Sequence, residues 1–155
     1  MSTYSSNLRI ELITTGTQAG TWGTTTNDNY QYVLEQAITG SISVTTSAAD
    51  QALTYLNGPT STASANQSVR AVLNLNTSTG SNFAVYAPPV SKLYVIKNAS
   101  AYTATIYNST VIGNTTAAGT GVAVPAGQTM TVWSDSANFY QQNTSFASQI
   151  GRAHV

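Results

Sequence analysis

From Ser41 to Tyr140 the apolar residues come in short runs that alternate with polar ones, and each run stops at Gly, Pro, Asn or Ser. An extended chain points successive side chains to opposite faces, so a period of two reads as a half-buried strand. Ile42 and Val44 begin one such strand, and Leu53 and Tyr55 another that ends at Asn57-Gly58-Pro59. A polar loop spans Gly58 to Gln67. Val69, Ala71, Leu73 and Leu75 alternate cleanly before a turn at Asn76 to Ser81, and Phe83 and Val85 follow until Pro88-Pro89. Leu93 to Ile96 is apolar on both faces, which predicts a central strand. Ala104 and Ile106 oppose Thr103, Thr105 and Tyr107. Val122 and Val124 lead into the turn Pro125-Ala126-Gly127, Met130, Val132 and Trp133 follow, and Phe139-Tyr140 closes the series. No strict repeat of the solenoid kind is present. Short strands at this spacing predict a mainly β fold, an antiparallel β-sandwich or barrel-like domain.

That domain is preceded by a strand-loop-helix segment. Leu8, Ile10 and Leu12 alternate with Arg9 and Glu11 as a strand would, and a Thr- and Gly-rich stretch with Trp22 follows. Tyr30, Val33, Leu34, Ala37 and Ile38 then fall at i, i+3, i+4, i+7 and i+8, one apolar stripe of a helix. Thr25 or Thr26 is the expected cap, Asp28 the acidic residue of the first turn, and Gly40 the stop. The expected division is residues 1–40 for this segment and 41–143 for the β domain.

Charge is the unusual part of the composition. Asp, Glu, Lys and Arg make up 6% of the chain, against roughly 25% in ordinary globular domains. Hydroxyls and amides take over the surface, a composition more typical of fibres, adhesins and virion proteins than of intracellular enzymes. Five basic and five acidic residues give zero net charge without a basic patch, which argues against nucleic acid and against an anionic membrane surface. There is no cysteine, which removes disulfides, thiolate catalysis and cysteine metal sites. The expectation is a product made in the host cytoplasm without a signal peptide and without membrane insertion.

The last six residues, Ile150-Gly151-Arg152-Ala153-His154-Val155, match a translation of ATC GGA AGA GCA CAC GTC. That string resembles part of a short-read sequencing adapter. The expectation is that 144–149 begins a missing downstream region and that 150–155 is adapter. His154 is the sole histidine, so the biological part is expected to hold none.

Two stretches resemble tail-fibre and virion structural proteins of tailed phages, of the marine or environmental type. The first is LRIELITTGTQAGTWGTTTNDNYQYVLEQAITG, Leu8 to Gly40. The second, Arg70 to Asn138, contains AVLNL, APPVSKLYVIKN and GTGVAVPAGQTMTVWSD. The resemblance implies a structural role in the virion, a homo-oligomer (a trimer), other tail proteins as partners, and host-glycan contact through the missing C-terminal part. It brings no catalytic residues and no cofactor.

Candidate sites were weighed residue by residue. A Ser–His–Asp arrangement lacks its base. A Ser–Lys variant needs Lys92 or Lys97 buried beside a serine, and both are expected to be solvated. Glycosidase chemistry needs paired carboxylates. Asp28 and Glu35 share one side of the helix but read as a dipole partner and a solvent-facing residue. Glu11 is expected to pair with Arg9 or a cross-strand neighbour, and Asp50 and Asp135 to accept backbone hydrogen bonds in turns. No metal site is expected. Gly119-Thr120-Gly121 lacks the helix a phosphate loop requires. Triplets such as Asn98-Ala99-Ser100 are expected by chance in so Asn- and Ser-rich a chain. Trp22, Tyr30, Val33, Leu34, Ala37 and Ile38 are the candidate interface, with Trp22 expected to pack on the helix stripe or on a neighbouring subunit. Tyr102, Tyr107 and Trp133 are the candidate sugar platforms of the alternative reading, a carbohydrate-binding or adhesin-type module.

Overall fold

A computed structural model describes residues 1–143; the suspected downstream and adapter residues, with Arg152 and His154, lie outside the described part. The chain is mainly β, with three sheets and one continuous helix. The alternation at Leu8–Leu12 does not build the expected strand. Only Glu11–Leu12 (β2) is extended, paired antiparallel with Thr3–Tyr4 (β1), because the chain between them reverses through Arg9 at φ +59°. Arg9 then ties this hairpin to the β domain, its Nε donating to Asn57 Oδ1 at 2.8 Å and its carbonyl accepting from the Gly58 amide at 2.9 Å.

The helix starts earlier than the stripe suggests. It runs as α1 (Trp22–Asn29), a π turn (Tyr30–Leu34) and α2 (Glu35–Thr39). Thr25 and Thr26 are therefore inside it and cap nothing; the Thr25 hydroxyl bonds Gln18 Oε1 and that of Thr26 donates to the Trp22 carbonyl. Asp28 likewise lies past the first turn. The π turn widens the backbone by one residue per turn, and Gln36 Nε2 donates to the Gln31 carbonyl five residues back. Gly40 ends the helix as expected, but for lack of a side chain: its φ is −71°, and a Cβ there would lie 2.6 Å from the Gln36 carbonyl oxygen.

Two sheets face each other beyond Gly40. The first has five strands in the order β11-β10-β7-β5-β3, namely Phe139–Gln141, Thr129–Asp135, Ser91–Asn98, Val72–Thr77 and Ser41–Thr46. The second has four in the order β4-β6-β8-β9, namely Asp50–Ala52, Phe83–Ala87, Ala104–Asn108 and Val122–Val124. The expected antiparallel arrangement is only partly present, and there is no closed barrel. β3, β5 and β7 run parallel, as do β4, β6 and β8; only β8–β9, β7–β10 and β10–β11 are antiparallel. The reason is connectivity. From β3 to β8 the chain crosses to the facing sheet after every strand, so each strand returns to its own sheet in the same direction. Three coils stack this way. Successive partners in the five-stranded sheet are 31 and then 23 residues apart, so no fixed period marks the coils in the sequence.

One core fills the space between the sheets. Val44, Leu73, Leu75, Tyr94, Ile96 and Val132 meet Phe83, Val85, Ala104, Ile106 and Val124. β7 is the central strand of its sheet, as its composition predicts. Burying side chains of this size is worth roughly 1.5–3 kcal/mol each. Polar side chains tie the sheets at their rims: Asn108 Nδ2 donates to Ser134 Oγ at 2.6 Å, and Asn98 Nδ2 to the Val124 carbonyl at 2.9 Å.

Candidate functional site

The candidate interface residues are divided by the helix into two sets. Val33 is fully buried and Leu34 and Ala37 half-buried, whereas Trp22, Tyr30 and Ile38 are 62%, 60% and 75% exposed. Trp22 is the first residue of α1 and does not pack on the stripe within the chain. Positions 22, 26, 30, 34 and 38 follow an i, i+4 line, so Trp22, Thr26, Tyr30, Leu34 and Ile38 form one ridge. Thr26, Tyr30 and Leu34 from this ridge, with Ile10, Leu12 and Ile13 from the hairpin, line a single open groove. Asn29 sets its floor, for its side-chain amide accepts from the Glu11 N–H at 3.0 Å and donates to the Glu11 carbonyl at 2.8 Å. That exchange satisfies the peptide of β2 as a neighbouring strand would. The Glu11 carboxylate bonds Ser2 Oγ and Gln18 Nε2, each at 2.9 Å, and not Arg9.

The three candidate sugar platforms are not brought together. Tyr102 lies in the β7–β8 connection with its hydroxyl over Gly80. Tyr107 is on the outer face of the four-stranded sheet, stacked on Tyr86 at 5.4 Å and covering Gly121, where a Cβ would meet its ring at 2.6 Å. Trp133 is on the outer face of the five-stranded sheet and stacks on Tyr140 at 4.5 Å with the planes 24° apart. Register places Tyr140, Trp133 and Leu93 side by side across three strands, and all three are exposed. The signal for Tyr140 was its alternation with Phe139, one facing in and one out, which pairs it with Trp133 once β11 is a hairpin partner of β10.

Asp135 holds that hairpin, as its expected turn role requires. Its Oδ1 accepts from the Asn138 and Ala137 amides at 2.7 and 2.9 Å, and its Oδ2 from the Tyr140 hydroxyl at 3.0 Å. These bonds, the Asn138 amide foremost, hold its carboxyl down to about 2. A folded-state value below the unfolded one stabilises above the unfolded pKa and is lost as pH falls from about 3.8 through about 2. Asp135→Ala is expected to free the β10–β11 turn, seen as faster amide exchange at Ala137 and Asn138 with the core amides unchanged.

Lys92 is not solvated as expected. Its Nζ donates to the carbonyls of Arg70 at 2.9 Å and Leu93 at 3.0 Å and lies 4.0 Å from the centroid of the Tyr94 ring. With Asn7, Leu8, Tyr55, Asn66, Ser68, Val69, Pro88 and Val90 it encloses a cavity of about 10 Å³, room for one water molecule. Burial lowers its pKa to about 7. Ser68 shares the cavity, but its hydroxyl bonds Asn66 Oδ1 at 3.3 Å, so amine and hydroxyl are each engaged elsewhere. Burial also pushes the Tyr94 phenol up, its hydroxyl donating to the Ser68 carbonyl at 2.9 Å. Lys97 is exposed.

Asp28 is half-buried and Glu35 exposed; neither bonds the other. Among the described residues no cluster of three or more His, Cys, Asp or Glu is close enough to hold a metal, and no helix is long and apolar enough to cross a membrane. No family model matches the chain, and neither a curated protein nor a solved structure does so.

Proposed function

We propose that this chain is a virion structural module, part of a phage tail fibre, that works by assembly and surface contact and not by catalysis. The observation that carries this reading is the apolar ridge from Trp22 to Ile38 beside the Leu12–Leu34 groove, the largest run of exposed apolar side chains on the N-terminal segment. Residues this apolar are left uncovered chiefly where another protein surface covers them. The ridge lies in the stretch that resembles the opening segment of phage fibre proteins, which makes a neighbouring tail protein or another copy its natural partner. Immunogold electron microscopy of particles from the source virus tests the role: label on the tail is expected, and absence of the chain from purified particles overturns it. Trp22→Ala combined with Ile38→Ser is expected to leave the melting temperature within a few degrees of the parent and to abolish incorporation into particles.

A second reading, a carbohydrate-binding module, is favoured by the exposed Trp133–Tyr140 stack. An aromatic face packs on the apolar face of a pyranose, and Asp135 at the rim supplies an acceptor. Tryptophan fluorescence titrated with a panel of glycans is expected to respond through Trp133 on this reading, and Trp133→Ala to remove the response. A flat titration across the panel sinks it.

A further inference from the structure

The coil formed by β3 and β4 ends both sheets on the same side of the molecule, and both ends are unpaired. The ladder fixes which backbone groups are free. The Val72 amide donates to the Gly40 carbonyl and the Ser78 amide to the Thr46 carbonyl, so Gly40, Ile42, Val44 and Thr46 turn their peptides toward β5. Peptide direction alternates along a strand; Ser41, Ser43 and Thr45 therefore point their N–H and C=O groups away from the sheet. In the facing sheet the Ala84 amide donates to Ala49 and the Leu53 amide to the Tyr86 carbonyl, which leaves Asp50 and Ala52 pointing outward. These five outward residues have no backbone partner among the described residues.

Proteins that must stay monomeric blunt such edges with Lys, Pro or a bulge. β3 reads Ser-Ile-Ser-Val-Thr-Thr and pairs six consecutive residues with β5 without interruption, so it carries none of them. The opposite end of the stack is different. There β11 is three residues long, and the Phe139 amide is already taken by the Thr120 carbonyl at 2.9 Å, so a loop crosses that edge and closes it.

We infer that the β3/β4 edge is a docking surface for a second copy of this chain, joined about a twofold axis perpendicular to the two sheets. The closed β11 edge cannot accept β3 head to tail, which leaves β3 against β3. Because β3 and β4 belong to one coil, a single twofold axis pairs β3 with its counterpart and β4 with its counterpart at once, each antiparallel, and continues both sheets across the contact. The surface brought together is Ser, Thr and Ala with one carboxylate, Asp50, on the shorter strand. In an antiparallel β4 pair centred on Gln51, each Asp50 faces Ala52 of the other copy and not its own equivalent. The inference stands on the ladder alone and holds whatever the role of the chain in a virion.

The test uses the full chain in multi-angle light scattering over a concentration series, with Ser43→Pro and Ser43→Lys. The Ser43 amide takes no part in the β3–β5 ladder, so proline there removes a donor from the free edge without breaking an internal bond; lysine serves as the second variant if proline perturbs the strand. The parent is expected to be a dimer. Each variant should raise its dissociation constant at least about tenfold with circular dichroism unchanged, and Ser43→Ala should leave it a dimer. Amide exchange at Ser41, Ser43 and Thr45 is expected to slow as the parent is concentrated. A monomeric parent, a dimer indifferent to both substitutions, or a trimer, the order implied by the resemblance to fibre proteins, overturns the inference.

Discussion

Asn98→Ala is expected to destabilise the fold by about 3 kcal/mol, the loss typical of leaving several buried hydrogen-bonding groups without partners. Asn98 is fully buried at the end of β7 and uses both ends of its amide. Nδ2 donates to the Tyr102 carbonyl at 2.7 Å and to the Val124 carbonyl at 2.9 Å. Oδ1 accepts from the Ser100 amide at 3.0 Å and the Ser100 hydroxyl at 2.7 Å. One side chain thus shapes the corner where the chain leaves the five-stranded sheet and ties that corner to β9 in the other. For a chain of this length the loss amounts to a fall of about 6–12 °C in melting temperature. Asn98→Asp would keep the Ser100 bonds and lose both donated ones, so it should also destabilise, and more steeply above the carboxylate pKa. Calorimetry on the two variants checks this; a melting temperature within a degree of the parent would show that water replaces the amide at no cost.

Lys92 supplies the second large effect, read through pH. Its amine is held at about 7 against 10.5 when unfolded. Between those values the unfolded chain binds a proton that the folded chain does not, so stability rises with pH from about 7 to about 10.5. The gain is at most about 1.4 kcal/mol per pH unit. Below about 7 both states are protonated and this contribution is flat. Lys92→Met keeps the stem against Tyr94, removes the titrating group, and is expected to abolish the slope while leaving the Arg70 carbonyl without its donor. Urea denaturation from pH 6 to pH 10 measures it, and a slope that persists in the variant would assign the dependence to another group.

The two cases differ in how far the residues announced themselves. Asn98 lay in an Asn-X-Ser triplet, and nothing local distinguished it from Asn108-Ser109-Thr110, which is also buried. Lys92 follows Ser91 at the start of an alternating run and reads as a solvated flank. Its burial comes from Asn7 and Leu8, more than eighty positions away in the chain, folded over it with Tyr55 and Pro88. The exposed ridge was legible in part: the stripe from Tyr30 to Ile38 was visible as a period, but a period identifies a face and not what covers it. Val33 met the protein, and Tyr30 and Ile38 did not.

What the amino-acid sequence determined by itself was which segments are extended and which of their side chains face inward. Leu73 and Leu75, Phe83 and Val85, and Ala104 and Ile106 alternate with polar neighbours, and all six are in the core, because side-chain alternation is a property of one strand alone. Strand direction was left to the tertiary structure. Alternation is the same in a parallel and an antiparallel ladder, so direction depends on where each connection leads. Here Ser47–Ala49, Ser78–Asn82 and Ala99–Thr103 each carry the chain across to the facing sheet instead of back beside the strand just left. That crossing makes the inner strands parallel and leaves β3 and β4 at one open end. A turn's residues say that the chain bends, and only the packed core decides which sheet it bends toward.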